Sequence, residues 1–272
     1  MKFGLCLEMV FGNDPLETRL RKAAQLGFEH VEMWFVDGTY QGTPESLADL
    51  ASENGVFITN TVIGSPDGSI GGGLTDPARR CGWLERARLT LQFNKRAGIP
   101  ATIVCAGNRV PGRSDKEMMQ SVLDGLSSTV ELAEEAGVTL LLEPLNDKYD
   151  HPGYWLTSSD LGAEICRRVG GKKLRLLFDC YHMQIMEGDL CDHISRNIDV
   201  IGHIHSAGVP GRHEIFRGEV DYPFVLQHIQ LAGYQKIFAF EYLPSEEDTQ
   251  SISKTLQHAK SGLEVPEPSP EQ

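Results

Sequence analysis

The sequence predicts a closed (β/α)8 TIM barrel, on three observations. Eight short apolar runs alternate with longer amphipathic stretches, the pattern of repeated strand–helix units around a parallel sheet. Glycines stand where helices should end, just before the next run, at Leu26-Gly27, Asn54-Gly55, Ala97-Gly98, Ala136-Gly137 and Ala232-Gly233. The 272 residues, 40% of them hydrophobic, can bury a full core, and barrels of this class take about 250 residues as one domain. An open doubly wound sheet fits the alternation, but it uses fewer strands and needs a topological switch point for its ligand.

The eight expected strands cover residues 2–8, 28–35, 56–62, 101–105, 138–143, 174–179, 200–206 and 236–242. Apolar residues at helical spacing place outer helices over Ala78–Arg96, Lys116–Glu135 and Tyr222–Leu231. Another should start in the capping cluster Thr157-Ser158-Ser159-Asp160. The glycine-rich segment 64–73 is expected to be a mobile loop or lid. One barrel domain is expected over 1–264. The tail 265–272, rich in proline and acid, should be disordered.

Lys plus Arg number 25 against 38 Asp plus Glu, a net charge of -13, which disfavours nucleic acid and anionic membranes as partners. The six cysteines are scattered without a C-x-x-C pair and read as reduced thiols. No signal-peptide pattern opens the chain, and no apolar run reaches the ~20 residues of a membrane span. The expected location is the cytoplasm.

Four residues end the last four expected strands: Glu143, Asp179, His205 and Glu241. Barrel chemistry sits at these C-terminal strand ends, where neighbouring side chains converge. Three carboxylates brought together would raise one another's pKa, and a divalent cation relieves the repulsion. Oxygen ligands with one imidazole suit a hard or borderline ion: manganese or magnesium first, cobalt next. Any one of these residues alone could be a helix cap or a surface ion pair; the set of four is what points to a site. Two loop residues are candidate substrate contacts, His182 as a hydrogen-bond donor and Arg212 as a planar fork. Glu8 and Trp34 should face the same mouth.

Several stretches resemble a known family: Glu143-Pro144-Leu145-Asn146, Asp179-Cys180-Tyr181-His182-Met183-Gln184, Gly202-His203-Ile204-His205, Val209-Pro210-Gly211-Arg212-His213-Glu214 and Gly218-Glu219-Val220-Asp221-Tyr222. They are similar to the hydroxypyruvate isomerase family of xylose isomerase-like TIM barrels, related to the D-tagatose and D-psicose 3-epimerases. The resemblance spans nearly the whole chain and is strongest from Glu143 onward. It implies that Glu143, Asp179, His205 and Glu241 hold the metal, with Glu143 and Glu241 as proton donor and acceptor. It also implies a role for His182 at the substrate and a homo-oligomer, dimer or tetramer. His205 is a departure, since hydroxypyruvate isomerases carry glutamine there and the ketose epimerases carry histidine.

The expected activity is metal-dependent isomerisation of a small hydroxycarbonyl compound, hydroxypyruvate/tartronate semialdehyde or a short ketose, through an enediolate. The alternative is a ketose 3-epimerase, and the alternative from another class is a non-catalytic sugar-binding barrel. A metal-dependent phosphodiesterase would need more histidines and a basic surface.

Overall fold

In the computed structural model, which describes residues 1–12 and 14–263, nine parallel strand segments form one sheet. They are β1 (Lys2–Cys6), β2 (His30–Glu32), β3 (Phe57–Ile58), β4 (Asn60–Val62), β5 (Ala101–Cys105), β6 (Thr139–Glu143), β7 (Leu174–Asp179), β8 (Ile201–Ser206) and β9 (Ile237–Phe240). Their order, β3-β2-β1-β9-β8-β7-β6-β5-β4, runs once around a nearly closed barrel. The strand expected over 56–62 is interrupted at Thr59: β3 pairs with β2, and β4 pairs with β5. A tilted barrel asks this strand to serve two neighbours at an angle, and the break lets each half align with one. Backbone bonds span the break, Thr59 N to Val31 O at 2.9 Å and Val62 N to Trp34 O at 3.0 Å. The residues 264–272, with the expected tail, lie outside the described residues.

The outer layer consists of α1 (Leu16–Gln25), α2 (Val36–Thr39), α3 (Pro44–Glu53), α4 (Arg80–Ala97), α5 (Asp115–Ala136), α6 (Ser159–Val169), α7 (Cys180–Met186), α8 (Leu190–Asn197), α9 (Tyr222–Leu231) and α10 (Asp248–Ser261). Local chemistry sets their ends. Ser114 and Glu117 form a reciprocal capping box on α5, Ser158 caps α6 and Asp221 caps α9. The five glycines expected to close helices all take positive φ, between 69° and 88°. Among the described residues no helix is long and apolar enough to cross a membrane.

Strand alternation divides the apolar residues into two cores. Leu140, Leu142, Leu176, Phe178, Ile204 and Phe240 face outward and pack under the helices, while Val62, Ile103, Leu141 and Leu177 form a small separate cluster inside the barrel. One irregularity matters for the site. Between β7 and β8 the register slips, so that Leu176 pairs Ile201 but Leu177 pairs His203 and Asp179 pairs His205. Gly202 is the extra residue, and a Cβ there would lie 2.5 Å from the Arg175 Cβ. The bulge reverses the phase of alternation. Ile201 faces the helices, yet His203 and His205 both point inward.

Candidate active site

Glu143 and Asp179 end β6 and β7, His205 is the penultimate residue of β8, and Glu241 follows β9. Each sits two residues above an inward-facing neighbour (Leu141, Leu177, His203, Ala239), so strand alternation aims all four at the barrel axis. They are buried, and ligand-capable atoms from all four lie within 4.8 Å of one another. The strand tops are pinned by Tyr154, whose hydroxyl donates to the Glu143 carbonyl at 2.9 Å and accepts from Ala106 N at 2.7 Å.

Beneath them lies a residue that the sequence reading passed over. Glu32, at the end of β2, is buried with its Oε2 2.9 Å from His205 Nε2 and its Oε1 2.6 Å from His203 Nε2. The first contact is a hydrogen bond; the second is a close ion-pair approach without hydrogen-bond alignment. Burial works against the Glu32 charge, but His203 and His205 outweigh it and hold the carboxyl down at about 2. With Nε2 engaged, His205 turns Nδ1 toward Glu241 Oε2 at 3.4 Å and Glu143 Oε1 at 3.6 Å. The sequence carries one signal for Glu32, an acid in the middle of an apolar run on the same alternating face as Trp34; its histidine partners on β8 turn inward only in the fold.

The electrostatics favour a cation. Burial lifts the Glu143 carboxyl to about 7 and Asp179 to about 6, each aggravated by the Glu241 charge. Burial also presses on Glu241, but Arg212 and His205 overcome it and hold that group well below the usual carboxylate range. His205 Nδ1 is buried without a hydrogen-bond partner. Burial works against the His205 charge, but the surrounding carboxylates overcome it and raise the pKa well above its usual value, so a cation entering among them would displace a proton from this ring. Three crowded carboxylates and an imidazole nitrogen facing them are a donor set that fits a divalent ion, so the group can hold a metal.

Two members of the cluster, Glu143 and Glu241, line a pocket of about 140 Å³. Trp34, Val62, Ile103 and Leu145 supply apolar walls, and His151, His182 and Arg212 supply polar ones. Trp34 Nε1 donates to Glu241 Oε1 at 3.2 Å, and Arg212 Nη2 donates to Glu241 Oε2. Arg212 has a left-handed backbone, φ 57°, a strained conformation for a residue with a side chain. His182 is fully buried, and its ring lies 5.5 Å from that of His151. His151, like Glu32, was not foreseen; nothing in its loop sequence distinguishes it.

The expectation that Glu8 faces the mouth is corrected. Glu8 does not reach the pocket; it accepts from Thr39 Oγ1 and Trp34 N and pairs with Arg19, so it buttresses Trp34 from behind. Segment 64–73 is folded on itself, with the Asp67 carboxylate accepting from Ser65 and Ser69, and its Pro66 lines the pocket. The loop carrying Arg212 is clamped by buried Glu214, which accepts from Ser245 N, Ser245 Oγ and Ser251 Oγ, all at 2.8 Å. Glu214→Ala would strand these donors and should lower stability by about 2–4 kcal/mol, read as a lower urea midpoint at unchanged slope. Burial opposes the Glu214 charge, but the Ser245 and Ser251 bonds hold its pKa below the usual value. The stabilisation is therefore complete at neutral pH and fades as pH falls through the carboxylate range.

Residues 20–261 match the family model described as xylose isomerase-like TIM barrel. The chain belongs to this family. A 2-oxo-tetronate isomerase from Cupriavidus necator is 33% identical over 248 residues, 89% of this chain and 93% of that protein. The hydroxypyruvate isomerase of Escherichia coli is 28% identical over 90% of this chain and 94% of its own. The crystal structure of a D-psicose 3-epimerase with D-tagatose, from Clostridium cellulolyticum H10, superposes with a TM-score of 0.77 at 18% identity, covering 97% of both chains, a likeness of fold. Among xylose isomerase-like barrels, the kinship with curated isomerases makes this chain an isomerase.

Proposed function

We propose that this protein isomerises a short 2-oxo acid carrying a neighbouring hydroxyl, with hydroxypyruvate and four-carbon 2-oxo-tetronate-like acids as the substrate class. The observation that carries the reading is the pairing of two buried glutamates, Glu143 and Glu241, across one small pocket. At about 140 Å³ that pocket is well below the roughly 300 Å³ at which drug-sized ligand sites begin, which favours three- and four-carbon substrates. The names of the two relatives support the class.

Glu143, Asp179, His205 and Glu241 would hold one divalent cation, manganese or magnesium, with cobalt a substitute. When bound, that cation supplies Lewis-acid polarisation of the carbonyl and hydroxyl oxygens. The rest falls to the chain's own groups. One of the two glutamates takes a proton from the hydroxyl-bearing carbon of the substrate, leaving an enediolate. The other returns a proton to the former carbonyl carbon, while the hydroxyl proton shifts between the adjacent oxygens, so substrate and product are isomers. His182 donates a hydrogen bond to the oxygen on which charge develops. Arg212 engages the acid group, and Trp34 with Val62 and Ile103 keeps water from the intermediate.

The test follows metal-stripped protein, with and without Mn2+, acting on hydroxypyruvate in D2O by NMR. Mn2+-dependent deuterium incorporation with appearance of the aldehyde isomer supports the reading; no exchange sinks it. His205 favours one second reading, epimerisation at a ketose carbon. It uses the same glutamates but returns the proton to the opposite face of the same carbon, so tetrulose and hexulose substrates in the same experiment separate the two by product.

A further inference from the structure

The Asn146 side chain, fully buried behind the pocket, has only one orientation that satisfies its neighbours. Its Oδ1 accepts from two backbone amides, Tyr149 N at 3.0 Å and Asp150 N at 3.1 Å. The NH2 end therefore donates both its hydrogens, one to Asp150 Oδ2 at 2.6 Å and the other to His182 Nδ1 at 2.7 Å. The Asn146 backbone N–H points at the same ring nitrogen from 3.3 Å. A nitrogen faced by two donors must accept, so the ring hydrogen of His182 sits on Nε2. That atom is buried without a hydrogen-bond partner, on the side of Asp179.

The carboxylate that steadies this amide has a second engagement. Asp150 Oδ2 also accepts from Tyr181 Oη at 2.9 Å. The Tyr181 ring lies under the Arg212 guanidinium, with Cζ 5.3 Å from the ring centroid, within cation–π range. Asp150 is itself an exposed rim residue and neither lines the pocket nor joins the acidic cluster.

We propose that Asp150 is a positioning residue that binds the two polar walls of the pocket into one unit, fixing the His182 tautomer through Asn146 and supporting Arg212 through Tyr181. His182 then serves the reaction as a hydrogen-bond donor and not as the group that removes a proton. The consequence for turnover rests on the isomerase reading; the hydrogen-bond assignment does not.

Two measurements test it. In 15N NMR of the native protein the His182 ring should show hydrogen on Nε2 and a bare Nδ1, and Asp150→Ala, which removes the side-chain anchor of the Asn146 amide but leaves its backbone contacts, should admit the Nδ1–H tautomer as a detectable minor form. Hydrogen on Nδ1 in the native protein, or an unchanged pattern in the variant, overturns the proposal. With hydroxypyruvate as probe, Asp150→Ala should lower kcat about tenfold, with KM within about twofold and Mn2+ affinity unchanged. Asp150→Asn should recover most of the loss, because its amide oxygen accepts the same two bonds. In a His182→Ala background, Asp150→Ala should remove only what Tyr181→Phe removes; simple multiplication of the two losses means that Asp150 acts elsewhere. Should native protein leave hydroxypyruvate unchanged, the functional reading fails while the NMR measurement still decides the tautomer.

Discussion

Glu241→Gln is expected to cut Mn2+-dependent deuterium exchange into hydroxypyruvate by about 10²–10⁴-fold, the usual contribution of a positioned acid or base. The substitution keeps the size of the side chain and an oxygen that can accept from Trp34 Nε1 or Arg212, both of which bond Glu241 in the native protein. It removes the capacity to carry a proton. Glu143→Gln should act with similar severity, since on the proposed route one glutamate takes the proton and the other returns it. Because both glutamates are also candidate ligands, bound Mn2+ must be measured in each variant. Lost exchange with Mn2+ retained assigns the carboxylate to proton transfer. Exchange within threefold of native, with Mn2+ retained, would remove it from that role.

The second large effect is expected from a residue that would touch neither metal nor substrate. Glu32→Gln should weaken Mn2+ binding about 10–100-fold, the usual cost of losing the carboxylate behind a ligating histidine. Glu32 faces the Nε2 atoms of both His203 and His205. A carboxylate can accept from both rings, whereas an amide offers one acceptor and one donor. One imidazole must then turn or change tautomer, and His205 loses the bond that presents Nδ1 to Glu143 and Glu241. Titration calorimetry with Mn2+ reads the change directly. Glu8→Gln is the control, because Glu8 binds Arg19, Thr39 and the Trp34 backbone outside the cluster and should leave the affinity as it is. Unchanged Mn2+ binding in Glu32→Gln would reduce Glu32 to packing.

Much of the architecture was written locally. Short apolar runs, glycine helix ends and the cap cluster around Ser158 each act over a few residues, so they could be read without knowing any partner. The carboxylates of the metal-capable set were legible for the same reason: Leu141-Leu142-Glu143 and Leu177-Phe178-Asp179 each carry an inward apolar residue and then an inward acid, and the fold class alone brings strand ends together, whereas His205 was found from its place near a strand end and from the family resemblance. The break at Thr59 was not legible, because it answers to two strands that meet only when the barrel closes. Nor was the phase of β8. Strict alternation from Ile201 would have turned His203 and His205 outward, and only the bulge at Gly202, pressed against Arg175, reverses them.

The sequence by itself thus determined the barrel, the four residues that crown its last strands and the crowding of negative charge that invites a cation. Tertiary structure alone decided what stands behind them. Glu32 is 173 residues from His205, Trp34 is 207 from Glu241, and Asn146 is 36 from His182. Alternation and capping are properties of neighbouring residues, whereas a hydrogen bond that fixes a tautomer belongs to atoms that become neighbours only after the ring of strands has closed.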